Sequence, residues 1–250
     1  MSDILSVVVS ALRADQTRLE QTSLNAANAS TPGYRRSSIA SLAFDQVMSA
    51  QSANTTESAG KPEWVPTQPA LQKITDFTEG SLQQTGRPLD VAVEGKGFVS
   101  LTDGSRTWLT RTASLKIDEH GDMVGPRGLR VVGTQGNIRP GAEADLSISV
   151  AGQVMRGDEV LGQIKLVQPT DEALLNSDDG VLFEVAPGQV QDATFETGVV
   201  RAGFLEGSNT NHLKEMLGVM ENVRHFESLI RLAQGYDEVL GKAIQKLGEV

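Results

Sequence analysis

The feature that most constrains this 250-residue chain is a heptad run at its C-terminal end. Positions 216, 219, 223, 226, 230, 233, 237, 240, 244 and 247 read Met, Val, Val, Phe, Ile, Ala, Asp, Leu, Ile and Leu. Nine of these ten are apolar, and alternate steps of three and four are the period of a helix with a narrow apolar seam. Helical from 213 to 247, the segment spans about 50 Å at a rise of 1.5 Å per residue, well beyond an average globular helix. A weaker seam runs from Asp3 to Ala29, where positions 5, 8, 12, 15, 19, 22, 26 and 29 read Leu, Val, Leu, Asp, Leu, Thr, Ala and Ala. Ser30, Thr31, Pro32 and Gly33 stop that helix, because proline disfavours helical geometry in the residue before it.

An isolated helix cannot bury such a seam. The expected fold class is therefore α+β: long N- and C-terminal helices paired as a coiled-coil-like rod domain, with an inserted, mainly antiparallel all-β domain. The alternative packs both helices on the β domain. In the paired arrangement the assembly interface comprises Leu5, Val8, Leu12 and Leu19 on the first helix. On the second it comprises Met216, Val219, Val223, Phe226, Ile230, Ala233, Leu240, Ile244 and Leu247. Asp15 and Asp237 are polar members of the two seams, either setting register or marking wet positions.

Between the helices the texture changes twice. From Tyr34 to about Gln72 the chain is rich in Ser, Thr, Ala and Gln, with Pro62, Pro66 and Pro69 late in the stretch. This reads as an extended connector with one short helix near Leu42–Met48. Short strands then follow at Leu89–Val93, Gly97–Leu101, Ser114–Ile117, Leu129–Val132, Leu146–Val150, Val160–Val167 and Val181–Val185. Turn signals such as Asp103–Gly104, Gly125–Pro126 and Asp179–Gly180 separate them. The expected domains are 1–33 with 205–250 (helical), 34–73 (connector) and 74–204 (β-rich).

A formal charge of -10 argues against nucleic acid, whose phosphates need clustered Lys and Arg. It also disfavours an anionic membrane surface. Without cysteine there is no disulfide and no thiolate metal site. The N-terminus lacks a basic region and a clean cleavage site, so no Sec leader is expected, and no apolar run is long enough to span a bilayer. His120, His212 and His225 show no metal-binding spacing. Asp118, Glu119 and Asp122 lack calcium-loop spacing and suit a hairpin turn. Gly95–Lys96–Gly97 reads as a simple hairpin and lacks phosphate-loop spacing. With no nucleophile elbow and no selected carboxylate pair, neither enzyme activity nor a cofactor or metal is expected.

Four blocks carry a resemblance. SLNAANASTPGYRR (23–36) is similar to a pattern NNLANxxTxGF followed by a basic residue, matching at Asn25, Asn28, Thr31, Gly33 and Tyr34. Leu24 and Ala26 depart from it. EGSLQQTGRPLDVAVEGKGFVSL (79–101) resembles QGxLxxTxxPLDxAIxGxGFF, through Leu89, Asp90, Gly95, Gly97 and Phe98. LTRTASLKIDEHGDMVGPRGLRVVG (109–133) resembles YTRxGxFxxDxxGxLVxxxGxxVxG through Thr110 and Arg111, with Leu109 and Leu115 in place of aromatics. The last, 203–228, resembles SNVNxxEEMxxMIxxxRxYE through Ser208, Asn209, Asn211 and Arg224. Together they resemble the rod/hook/basal-body family of flagellar axial proteins, in the family's order and across most of the chain.

The resemblance implies a structural subunit of the flagellar rod. Proximal rod members fit best, distal rod members next, and hook members, with a larger inserted domain, less well. Its implied partners are copies of itself, neighbouring rod proteins and the flagellar type III export apparatus, with no nucleic acid and no direct membrane insertion. Its implied location is the basal-body rod across the periplasm. Two other classes stay open: a periplasmic β-domain binding module that dimerises through its helices, and a carbohydrate-acting enzyme.

Overall fold

The computed structural model describes residues 2–41, 71–141, 145–172, 175–193 and 198–248. The chain divides into two compact units, one of residues 1–27, 37–74 and 211–250 and one of residues 28–36 and 75–210.

In the first unit, helix α1 spans Ser2–Ala27 and helix α2 spans His212–Gly248. Asn211 caps α2: its Oδ1 accepts the N–H of Lys214 at 3.1 Å, which occupies one of the amides that a helix start leaves unpaired. Glu215 in the first turn favours the same end electrostatically. Among its described residues this unit also holds β1 (Ser37–Ser41) and most of β2 (Leu71–Thr75), which pair as a two-stranded sheet. The first of these strands lies where an extended connector was expected. The remainder of that connector, including the expected helix near Leu42–Met48, falls outside the described residues.

The expected coiled-coil-like pairing is overturned. The fold is two terminal helices and a large, mostly antiparallel β body. On α2 the expected seam members Met216, Val223 and Asp237 are exposed. The shielded side instead carries Glu215, Asn222 and Tyr236, each one residue earlier. A heptad seam needs apolar side chains inserted between those of the facing helix. Here the two helices, running antiparallel, are bridged by polar groups. Asn25 Nδ2 donates to Glu215 Oε2 at 3.2 Å, Asn222 Nδ2 donates to Thr22 Oγ1 at 3.3 Å, and His225 Nδ1 contacts Asp15 Oδ2. Gly218 permits the approach, since a Cβ there would stand 3.2 Å from Thr22 Cγ2. Asp15, buried and also bound by Arg18 at 3.3 Å, is a true contact residue, whereas Asp237 faces water.

The β body holds the larger core. Its main sheet runs in the order Phe183–Val185, Thr107–Thr110, Phe98–Thr102, Arg130–Gly133, Met123–Val124, Lys116–Ile117. Leu166–Pro169 also pairs with Phe98–Thr102, and Val190–Asp192 pairs with Leu166–Pro169. Smaller sheets join Gly198–Ala202, Asp90–Gly95 and Thr112–Ser114; Leu146–Ile148, Gln153–Arg156 and Glu159–Gln163; and Phe204–Glu206 with Leu82–Gln84. Every one of these pairings is antiparallel. Val91, Val99, Leu101, Met123, Val131 and Val154 fill the main cluster, and Phe77, Phe98 and Phe183 meet at centroid distances of 5.1–6.5 Å in a second.

Three local expectations are corrected. The run Val160–Val167 is two strands in different sheets, divided where Ile164 N–H bonds to Gly152 O and Lys165 N–H bonds to Val132 O. Ser114–Ile117 is likewise divided, at Leu115. Gly95–Lys96–Gly97 is no simple hairpin, because the strands on either side belong to different sheets. The turn around Asp118–Asp122 does close a hairpin, with Lys116 opposite Val124.

Leu101 is fully buried in the main cluster, so Leu101→Ala should cost about 2–5 kcal/mol. Val160→Ala, at an exposed position, should stay within about 0.5 kcal/mol. Urea denaturation of the two variants checks the contrast.

Candidate functional site

Two sites emerge, one in each unit. In the β body, the four sequence blocks converge on the carboxylate of Glu206, which is 1% exposed. Its Oε1 accepts from Arg35 Nη2 at 2.6 Å and from the Gly80 amide at 2.7 Å, and its Oε2 accepts from Arg111 Nε at 3.1 Å. Its main chain is held as well: Gly33 N–H donates to Glu206 O at 2.7 Å, and Glu206 N–H donates to Thr112 Oγ1 at 3.1 Å. Gly33 must be glycine, for its φ is +74° and a Cβ would stand 2.6 Å from Thr112 Cγ2.

Arg111 carries the network onward. It donates to the carbonyls of Val93 (2.9 Å), Gly95 and Gly97 (3.3 Å), and its Nη2 reaches Glu79 Oε1 at 3.3 Å. The ring of Phe98 lies 5.7 Å from its guanidinium carbon. The Gly95–Gly97 turn is thus pinned by a cation, a job quite unlike phosphate binding. Arg35 is fully buried and has Nε and Nη1 without a partner among the described residues. Burial pulls its pKa below the usual range, against the opposing pull of Glu206. Two buried arginines around one carboxylate make that carboxylate indispensable to both.

The remaining block residues hold backbone. Asn25 accepts the Ser37 N–H at 3.1 Å and donates to Ser37 O at 2.7 Å. Thr31 donates to Asn28 Oδ1, Tyr34 is buried, and Asp90 takes Arg87 Nε at 2.9 Å. Thr110 donates to Thr112 O, and Ser208 Oγ accepts the Thr210 N–H. Asn209 ties Arg36 to the Asp76–Thr78 segment. Leu89 is half-buried, and Arg224 is exposed on α2. Asp76 Oδ1 accepts the Thr78 N–H at 2.9 Å, a backbone hydrogen bond that holds its carboxyl below the ordinary carboxylate range.

The second site is the surface of the terminal helices. Of the expected interface, Val8 is buried, and Leu12, Leu19, Val219, Phe226, Ile230 and Ala233 are half-buried. The side chains of Leu5, Leu240, Ile244 and Leu247 lie outside the described residues. Met216 and Val223 join Leu213, Leu217 and Met220 on an open face, with exposures of 73% at Leu213, 62% at Leu217 and 53% at Met220. Spacings of three, one, three and three put these five on one side of α2. Glu79, Glu206 and Glu215 were not singled out by sequence reasoning. Glu206 and Glu215 lie inside or beside a quoted block, but their partners stand 171 and 190 residues away.

The buried polar groups described here thus hold backbone, and an apolar face of α2 stands open, features that suit a structural protein. The family model described as flagellar basal body rod FlgEFG protein C-terminal matches residues 201–246. The chain is 31% identical to flagellar basal-body rod protein FlgF of Escherichia coli (strain K12), covering 94% of each chain. It is 30% identical to FlgF of Salmonella typhimurium, again covering 94% of each, and 28% identical to FlgG of Buchnera aphidicola subsp. Acyrthosiphon pisum, covering 94% and 95%. The chain belongs to the flagellar basal-body rod protein family, and it is a structural component of that rod.

Removing the Glu206 charge should strand two buried guanidinium groups. Glu206→Gln is therefore expected to lose about 3–5 kcal/mol in chemical denaturation. A loss under 1 kcal/mol would show that Arg35 and Arg111 find other partners. For Asp76 the sign is that of a depressed carboxyl: its stabilising contribution is full above the unfolded value of about 3.9 and is lost as pH falls through the lower folded value. Carbon-detected NMR should place its folded midpoint below that of the urea-unfolded chain.

Proposed function

We propose that this chain is a proximal-rod subunit that joins the rod through the open apolar face of α2. Five apolar side chains on one face of a helix, left in water in the single chain, carry this reading. Contacts of that kind between unlike surfaces propagate rather than close, which builds a helical assembly. The terminal helices, within segments 1–27 and 211–250, form the inner tube around an export channel, and the β unit forms an outer layer. The interface takes in the expected seam residues together with Leu213, Leu217 and Met220. The subunit reaches the growing tip through the flagellar type III export apparatus. It transmits torque and carries out no catalysis.

Ordering of the terminal helices is coupled to this contact, since burial against neighbours offsets the entropy lost when they become rigid. Two FlgF relatives at 31% and 30% identity support the proximal position. The similarity to a FlgG protein keeps a distal position as the second reading.

Leu217→Asp and Met220→Asp place a carboxylate on the open face, away from the side that meets α1. Each should abolish rod growth in cells, seen as truncated basal bodies by electron microscopy, while the purified subunit keeps its circular dichroism spectrum and melting temperature. Complete, motile flagella in both variants would remove this face from the interface.

A further inference from the structure

The chain crosses between its two compact units four times: after residues 27, 36, 74 and 210. Inside the β unit, three of the segments that lead to those crossings are bound together by one side chain. Asn209 stands two residues before the last crossing. Its Nδ2 donates to Asp76 O at 2.8 Å, and to Thr78 O and Thr78 Oγ1 at 3.2 Å each. Its Oδ1 accepts the Arg36 N–H at 2.7 Å. Arg36 is the last residue before the second crossing, and Asp76 is the second residue after the third. Their main chains are also joined directly, with Asp76 N–H to Arg36 O at 2.8 Å.

An asparagine in an ordinary turn bonds to residues two or three positions away. Asn209 bonds to residues 131 and 173 positions away. Only an amide can do this, because one end must donate to two carbonyls while the other accepts an N–H. Aspartate keeps the shape and the acceptor but turns a negative oxygen towards two carbonyl oxygens. Glu206, three residues earlier and the last residue of the strand Phe204–Glu206, ties in the Gly33–Arg35 stretch through Gly33 N–H and the Arg35 guanidinium.

We infer that Asn209 is a mechanical clamp that fixes the directions in which the chain leaves the β unit. Force arriving along any one of the three segments is shared by bonds to the other two. Bonds that must break together resist far more than bonds peeled singly. The inference rests on the rod reading, in which terminal segments and β body bear load in one subunit.

The test uses Asn209→Ala, Asn209→Asp and Thr78→Val in the full chain. In purified protein, hydrogen exchange of the Arg36 amide should be at least tenfold faster in Asn209→Ala, with the β body still melting cooperatively. In cells, Asn209→Ala should build flagella in normal number and swim normally in plain medium. In viscous medium it should lose at least half its relative speed or shed its flagella. Asn209→Asp should fail similarly under load, and Thr78→Val, which removes one bond, less severely. Wild-type behaviour of Asn209→Ala under load, with Arg36 exchange accelerated, overturns the clamp. If Asn209→Ala builds no flagella, the other two variants decide: wild-type load tolerance in both overturns it, and graded loss supports it. A strain lacking the chain that still builds complete flagella overturns the rod reading instead, independently of these results.

Discussion

The β body depends on one carboxylate. Glu206 neutralises Arg35 and Arg111, accepts the Gly80 amide, and through its own main chain holds Gly33 and Thr112. Burying two cations is tolerable only where an anion meets both with good geometry. Because the groups come from four separate stretches of chain, the ion cluster also fixes which stretches lie together. Arg111 extends that control to the Gly95–Gly97 turn, where the chain leaves one sheet for another. Apolar packing supplies stability over a wide area. The charged node supplies the arrangement.

This division of labour explains what sequence reasoning reached. Both terminal helices were legible because apolar residues recur at helical spacing and because Thr31–Pro32–Gly33 stops the first. The direction of the α2 seam was not. Apolar side chains on α2 cover more than one stripe, and periodicity marks the greasy side of a helix without marking the side that its own chain covers. Glu215 and Asn222 took the covered side through polar partners on α1, so Met216 and Val223 were left in water. Several strands were missed for a related reason. Thr107–Thr110, Gln153–Arg156 and Val190–Asp192 are short and mixed in polarity, and pairing with their partner strands, not local pattern, makes them strands.

The sites were half legible. The quoted blocks contain Asn25, Gly33, Arg111 and Asn209, but a linear motif says nothing of what each one grips. Arg35 and Glu206 are both ordinary surface residue types by composition, and nothing local marks either as buried. Only the fold brings them within 2.6 Å. The same holds for Asp76, whose depressed carboxyl reflects a turn that the sequence around it does not announce.

The polar character of the contact between α1 and α2 has a consequence of its own. Apolar surfaces resist separation because parting them wets oily surface. Hydrogen-bonding groups part at little cost, since water satisfies Asn25, Thr22, Asn222 and the Asp15–His225 pair almost as well as they satisfy one another. Each of these pairs can therefore open and reclose at little cost, so the polar part of the joint lets the two ends of the chain come undone and regain the same alignment.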